Sequence, residues 1–282
     1  MLKIDKAMDQ VTYVSMALFA AIWIVLIAII VSGAWHFVQT HGFVSSVASF
    51  QWDPLQSHFG IGSFIVGSIT VTLLALVLAI PGSLALGVLG SRILQGKWQQ
   101  QFVRFLTVFV SVPSVLYGWW GLTVVVPGIR RLSHTSGYGP LSASIVLALM
   151  IVPTFSILSL NALRHVPESY IEGSIGLGAS EDQTLWHIIL PAARPRIVQA
   201  ALIAVARGLG ETIAVQMVIG GQVRITSLLH PASTLTTQLL TDLPLLPVGV
   251  PGHHVLDFMA LWLLILMTVI VWLQYRLRGS GT

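Results

Sequence analysis

IVQAALIAVARGLGETIAVQMVIG, residues 197–220, is the stretch on which the fold turns. It is apolar or small at nearly every position, and long enough to cross a bilayer as a helix, which takes about twenty residues. Two charges interrupt it: Arg207 near its middle and Glu211 four residues on, one helical turn away. A charge at that depth costs roughly 2.5–3.5 kcal/mol even on lenient insertion scales, so it requires a partner or a wet cavity. Two readings follow. The pair is either a structural ion pair that neutralises itself or a stop on a path for an anion.

The rest of the chain supports a membrane setting. Of 282 residues, 55% are hydrophobic and only 9% charged, and the mean hydropathy is +0.86. Soluble domains carry about a quarter charged residues. The chain has room for several helices and one short polar module, but not for a separate soluble enzyme domain. The isoelectric point of about 9.8 does not signal nucleic acid, because the basic residues fall at the ends of apolar segments, where topology is set. Cysteine is absent, which excludes disulfides, thiol catalysis and cysteine-ligated metal.

Apolar segments near 14–36, 62–90, 103–127, 141–163, 197–220 and 256–275 predict six membrane helices, the first of them uncleaved. With the N-terminus in the cytoplasm, Lys3, Lys6, Arg92, Lys97, Arg104, Arg164, Arg194, Arg196, Arg276 and Arg278 fall inside, and only Arg130, Arg131 and Arg224 outside. Both termini are therefore expected in the cytoplasm. Pro81, Pro113 and Pro153 are expected inside their helices, as kinks that a membrane bundle tolerates. Ala200, Ala204 and Gly208 form a small face suited to close helix contact, which turns Arg207 and Glu211 toward the bundle interior. The outer loops, roughly 37–61, 128–140 and 221–255, gather His36, His41, His58, His134, His230, His253 and His254. No pair has the i, i+4 spacing of a helical zinc site, and a solvated or interfacial role outweighs metal binding.

The inner loop 164–196 is the one sizeable polar segment. Pro167 and Glu168 suit a helix start, Ile171 and Ile175 share a face, and Gly178 suits a left-handed exit. Ser180 with Gln183 makes a capping box, supported by Glu181 and Asp182. Leu185, Ile188 and Ile189 supply an apolar face, with Pro191 expected to end the element. The pattern predicts an amphipathic helical hairpin at the inner membrane surface, equally compatible with simple packing under the bundle and with docking of a partner.

Glu172, Gly173, Ser174, three residues, Gly178, nine residues, then Ile188, Ile189, Leu190 and Pro191 resembles the E-A-A-x3-G-x9-I-x-L-P loop of ABC importer permeases. Every spacing matches. Gly173 and Ser174 replace two alanines, and a glycine inside a helix costs about 1 kcal/mol relative to alanine, which softens the first helix. The resemblance implies an all-α type I importer fold with six membrane helices. Residues 1–61 would form the first helix and outer loop, residues 62–275 the permease core with its coupling loop 164–196, and residues 276–282 a cytoplasmic tail. It further implies that the loop seats in an ATPase subunit through Glu172, Gly173, Ser174, Gly178, Leu190 and Pro191.

Residues 207–212, RGLGET, resemble the fifth helix of oxyanion importers for phosphate, sulfate and molybdate. Residues 111–122, SVPSVLYGWWGL, and residues 212–220, TIAVQMVIG, are similar to the phosphate branch. Sulfate and molybdate permeases usually carry Phe-Gly where this chain has Thr212-Ile213. The second helix ends in Gly87-Val88-Leu89-Gly90-Ser91-Arg92, without the acidic residue common there. The resemblance implies a bacterial inner-membrane subunit that works with a second permease, an ATPase dimer and a phosphate-binding protein. ATP and magnesium would sit on the ATPase, with no cofactor on this chain, which lacks a G-x4-G-K-[ST] loop.

Arginine suits such a path, since its planar fork matches two oxygens of a tetrahedral anion and it stays charged at any relevant pH. Glu211 would hold Arg207 and limit its grip, and Thr212 is a lesser hydrogen-bonding candidate. A cation preceding its acid is the poorer i, i+4 order, which weighs against a bridge kept for helix stability alone. Competing readings are a sulfate or molybdate permease, a stand-alone channel or secondary transporter, and an intramembrane enzyme. The last lacks H-E-x-x-H, G-x-S-x-G and G-x-G-D.

Overall fold

The computed structural model describes residues 2–224, 226–249 and 252–279, the side chains of residues 2–9, 55, 278 and 279 excepted. Lys3, Lys6 and Arg278, which enter the charge count, lie outside the described side chains, and residues 280–282 of the tail lie outside the described residues. The described chain is helical apart from a two-residue-per-strand hairpin and connecting turns. Five helices are long and apolar enough to cross a membrane, and a bent pair makes up to six. An all-helical solution is what a bilayer demands, because each backbone N–H and C=O must find its partner inside the segment.

Helix α1 (Leu2–His41) outruns the expected 14–36 and takes His36 and His41 out of the outer loop. Gly33 does not interrupt it, and it ends before Gly42, which has φ +79° and caps the start of α2 (Phe43–Ala48). Strands β1 (Trp52–Asp53) and β2 (His58–Phe59) pair antiparallel, Trp52 opposite Phe59. Then comes α3 (Gly62–Val88), with Pro81 inside it, running into a π-turn over Leu89–Ile93.

The third span departs from a single helix over 103–127. It consists of α4 (Gly96–Val110) and α5 (Ser114–Trp120), the latter continuing through a π-turn (Gly121–Val125) into α6 (Val126–Ser133), with an 83° bend at the break. Pro113 is not a mid-helix kink but the residue that starts α5, at φ −58° and ψ 137°. It has no N–H to extend α4 and pushes the residue before it toward extended backbone. Helix α7 (Pro140–Arg164) keeps Pro153 inside.

The polar segment after α7 comprises α8 (Glu168–Gly176) and α9 (Glu181–Thr184), followed by a π-turn (Leu185–Ile189) and α10 (Leu190–Gly210). Pro191 does not end the hairpin. It sits in the first turn of α10, where its missing N–H costs nothing, and the preceding π-turn carries the chain into the membrane without a break. After α10 come α11 (Ile213–Ile219), α12 (Leu235–Asp242) and α13 (His254–Gly279).

Helices α3 and α7 form the central pair. Ala75, Ala79, Ser83 and Gly87 recur every fourth residue on α3 and are all buried. A Cβ on Gly87 would stand 2.9 Å from Ser159 Cβ and 3.2 Å from the Leu160 backbone nitrogen. Small residues let the backbones approach, the main source of attraction between helices in lipid. Ser144 of α7 donates to the Val71 carbonyl at 3.1 Å across the same seam. Helix α10 adds its small face, Ala200, Ala204 and Gly208, all buried as expected. Gly208 leaves only 3.1 Å to Thr72 Cγ2 and 3.4 Å to Leu147 Cδ2 for any Cβ. Helix α1 joins the outside of the bundle along α13, where Ala34 and Phe37 pack with Val255, Phe258 and Met259. The face from Val11 to Ile29 is left exposed, as lipid requires.

Candidate functional site

Arg207 lies in the last turn of α10, next to carbonyls that carry partial negative charge. Its Nη1 donates a 2.8 Å hydrogen bond to Thr154 Oγ1 of α7. No ion pair within 4 Å joins it to Glu211; among the described residues the one such pair is His254 with Asp257 at 3.2 Å, in the first turn of α13. Arg207 is half-buried, and none of its nitrogens is both buried and without a partner. Its remaining N–H groups are therefore accessible. A guanidinium anchored by one neutral hydroxyl keeps most of its fork free for a ligand.

The expected helical turn between Arg207 and Glu211 is absent because α10 stops at Gly210. Glu211 caps it with extended backbone (φ −73°, ψ 120°), and α11 begins two residues later. The two glycines of RGLGET weaken the helix at this point. Backbone groups freed in the break are met locally. Thr236 donates to the Glu211 carbonyl at 3.3 Å, the Thr212 hydroxyl turns back to the Gly210 carbonyl at 3.4 Å, and the Gln216 N–H reaches the Thr212 carbonyl at 2.8 Å. Irregular backbone at membrane depth persists only where protein or a cavity receives it. Glu211 borders a small hydroxyl-lined cavity with Ser68, Thr72, Thr234 and Thr236. Arg207 turns instead to Thr154 on α7, so the break separates the two charges that the sequence placed together.

The two breaks meet in space. Helix α5, just past the Pro113 break, packs on α11, just past the Glu211 break. A Cβ on Gly118 would come within 2.7 Å of Met217 Sδ and 3.0 Å of Ala214 Cα. Gly121 is closed off by Val146 and Val218. The Tyr117 hydroxyl bridges back across its break to the Phe109 carbonyl at 2.9 Å. SVPSVLYGWWGL and TIAVQMVIG are thus two halves of one contact.

The hairpin of α8 and α9 has the expected caps. Ser180 Oγ accepts from the Gln183 N–H at 3.2 Å, and Gln183 Oε1 accepts from the Ser180 N–H at 2.9 Å. Gly178 (φ +88°) closes α8, with the Ala179 N–H returning to the Ser174 carbonyl at 3.2 Å and the Gly178 N–H to the Ile175 carbonyl at 2.9 Å, a Schellman end. Ser174 Oγ and Thr184 Oγ1 lie 2.9 Å apart and pin α8 to α9. Ile189 is buried with Leu163, Val166 and Ala193, and Ile171 packs on this cluster, which fixes the hairpin under the bundle. No residue of α8 is buried. Glu172 and Gly173 are exposed, and Tyr170, Ile175, Leu177 and Trp186 present apolar surface to the outside. Leu190 and Pro191 lie at the start of α10, where the hairpin enters the membrane.

Residues 79–278 match the family described as binding-protein-dependent transport system inner membrane component. The chain belongs to this family. It is an ABC importer permease, a multi-pass component of the inner membrane. It is 35% identical over 227 residues to the probable ABC transporter permease protein YqgH of Bacillus subtilis (strain 168), spanning 79% of this chain and 74% of that one. It is 30% identical over 257 residues to the phosphate transport system permease protein PstC of Xylella fastidiosa (strain 9a5c), spanning 82% and 79% of the two chains. A chain of the inward-facing MetNI methionine ABC transporter shares the permease fold, with TM-score 0.59 and 21% identity over 82% of this chain and all of that one.

Thr154, the hydrogen-bond partner of Arg207, is the residue that sequence reasoning missed. It sits one position after Pro153, in a stretch with no charge to mark it. The Thr234, Thr236 and Thr237 cluster that caps α12 was likewise hidden in a polar loop, although the Thr234–Thr237 spacing of its capping box could have revealed it. The missing acid after Gly87 also has a structural setting. Arg92 donates to the Leu163 carbonyl at 2.7 Å and Gln99 to the Gly90 carbonyl at 2.7 Å, so donors hold this corner together.

Proposed function

We propose that the chain forms, with a second permease, the pathway of an ATP-driven importer of inorganic phosphate. One observation carries the reading: the Arg207 guanidinium stands within the membrane bundle, held by a neutral hydroxyl, with its other donors open and no carboxylate paired to it. An unpaired cation at that depth is costly unless an anion or water meets it. The relatives named for phosphate transport support phosphate as that anion; sulfate or molybdate is the alternative. In this reading both termini face the cytoplasm, and a binding protein delivers phosphate from outside. The exposed face of α8, with Glu172 and Gly173, together with Ser174, the turn at Gly178, and Leu190 and Pro191, seats on one subunit of an ATPase dimer that holds ATP and magnesium. Thr212 and Glu211 shape the break beside the path.

The test is phosphate uptake by the assembled complex carrying Arg207→Ala. Uptake is lost while assembly and ATP hydrolysis persist. Full uptake refutes the pathway role, and stimulation of the ATPase by sulfate or molybdate but not phosphate refutes the substrate.

A further inference from the structure

The stripe of α10 that carries Arg207 continues toward the inner surface. Ile203, Gln199 and Arg196 precede it at steps of four, four and three residues, which keeps all four on one helix face. Helix α7 runs the opposite way alongside, and Thr154, Leu158, Asn161 and His165 follow at steps of four, three and four, again on one face. The Arg207–Thr154 hydrogen bond of 2.8 Å sets the register at one end. At the other, Asn161 and His165 border a cleft of about 240 Å³ with Gln199 and Arg196. His165, Arg196 and Gln199 also line an adjoining chamber of about 500 Å³, whose wall includes Tyr170 of α8.

Among the described residues the lining of these two spaces carries donors from Asn161, His165, Arg196 and Gln199 and no carboxylate. Among the described residues the Arg196 side chain forms no ion pair or hydrogen bond, and the Asn161 and Gln199 side-chain amides have no protein partner. His165 Nδ1 lies 2.6 Å from the Asn161 carbonyl, so the ring is oriented and Nε2 is its remaining polar atom. A free guanidinium fork with two carboxamides and an oriented imidazole is the chemistry that receives an oxyanion.

We infer that this cleft is a second oxyanion station, which takes the anion after Arg207 and before its release to the cytoplasm. It rests on the importer reading above, and on that reading the anion is inorganic phosphate. Arg196 and Arg207 are eleven residues apart on one helix, about 16 Å at the helical rise, so one small anion cannot touch both. Occupancy passes from one to the other. Because Tyr170 belongs to the hairpin, movement of α8 reshapes the chamber wall. A lipid phosphate headgroup offers the same chemistry, and the experiment separates the two sources.

The chain contains no cysteine, so Ala192→Cys, at the exposed rim of the chamber, places a single thiol in it without touching the four polar groups. Inside-out membrane vesicles carrying the whole transport complex are treated with a charged thiol reagent, and labelling of this chain is read by mass spectrometry. Inorganic phosphate at about twice its Kd slows labelling about threefold relative to chloride of equal ionic strength. Adding Arg196→Gln abolishes the protection, and Arg196→Lys restores part of it. Equal rates in phosphate and chloride overturn the station. So does slow labelling in nanodiscs containing phosphatidylglycerol, but not in pure phosphatidylcholine, with no further effect of phosphate, because the cleft then belongs to lipid. Protection by sulfate or molybdate instead of phosphate upholds the oxyanion cleft and overturns the phosphate assignment. Protection that persists when Arg207→Ala leaves uptake intact upholds the cleft and overturns the role of Arg207.

Discussion

Thr154→Val asks whether the hydroxyl on α7 holds Arg207 in a working position. Valine keeps the shape of threonine and removes the acceptor of the 2.8 Å bond from Nη1. A hydrogen bond to a charged group contributes about 1.5–3 kcal/mol. The lower end applies here because Arg207 is half-buried and its charge partly screened. A loss of about 1.5 kcal/mol corresponds to roughly tenfold in binding of the anion. The assay is the initial rate of radiolabelled phosphate uptake at subsaturating phosphate, in cells without another phosphate carrier. The amount of assembled complex and its ATPase activity are measured in parallel. Thr154→Val is expected to lower uptake about tenfold. Arg207→Ala removes the cation and is expected to lower it by more than about thirtyfold, the lower bound for truncating a charge contact.

The double variant is the sharper measurement. If Thr154 acts only through Arg207, Thr154→Val costs nothing further once Arg207 is alanine, a full non-additivity expected of residues in one unit. Effects that multiply, or wild-type uptake by Thr154→Val in a fully assembled complex, refute the positioning role. Arg207→Lys separates charge from shape. It keeps the cation and loses the planar fork, so it falls between wild type and alanine.

Gly87→Leu crowds the α3–α7 seam, where even a Cβ meets Ser159 Cβ at 2.9 Å. A loss of about 1–3 kcal/mol is expected as a lower thermal midpoint in detergent, and an unchanged midpoint contradicts the close approach. Ser174→Ala removes the 2.9 Å link to Thr184 and costs about 1 kcal/mol. Hydrogen exchange should then quicken across residues 168–176 while the capped start of α9 stays protected; equal quickening of both points to loss of the whole hairpin. At the end of α12, burial pushes the Asp242 carboxyl above its ordinary range, opposed by the hydrogen bond from Gln238. A raised carboxyl pKa favours the fold when protonated, so that stability is present below the unfolded pKa and declines as pH rises through the folded one. Asp242→Asn removes this dependence and should raise the thermal midpoint at neutral pH relative to wild type, with little difference at low pH.

The parts of this fold that are governed by local chemistry were legible in the sequence. Hydropathy located the spans, small residues every fourth position located the α10 seam, and Ser180 with Gln183 located the cap of α9. What escaped is governed by contacts between distant segments. Periodicity carries residues 197–220 through as one helix because nearly every residue is apolar or small, and the stop at Gly210 depends on Thr236, far along the chain, donating to the freed Glu211 carbonyl. Pro113 was visible, but whether a proline kinks or breaks a membrane helix depends on what lies across from it. Here Gly118 and Gly121 let α5 turn away and lie on α11 and α7. Thr154 was invisible for the same reason, since a threonine in an apolar helix acquires its role only from the arginine brought to it by the fold.

The break also changes how Glu211 acts. An ion pair would have cancelled Arg207 outright; separated by more than 4 Å, the carboxylate only reduces the positive potential, as do the last carbonyls of α10. On the importer reading Arg207 has to release what it binds, so a tempered cation suits it better than a bare one. At 4 Å and an effective dielectric of 20 the interaction would reach about 4 kcal/mol. A longer, partly solvated separation leaves about 1–2 kcal/mol, or roughly five- to thirtyfold in affinity. Glu211→Gln keeps the size and removes the charge. If the carboxylate tempers Arg207, the variant binds phosphate more tightly and turns over more slowly, so half-saturation and maximal uptake fall together. If Glu211 serves only to terminate α10, its role lies in its backbone and the glutamine variant transports as wild type. A rise in half-saturation fits neither role and would place Glu211 among the groups that hold the anion.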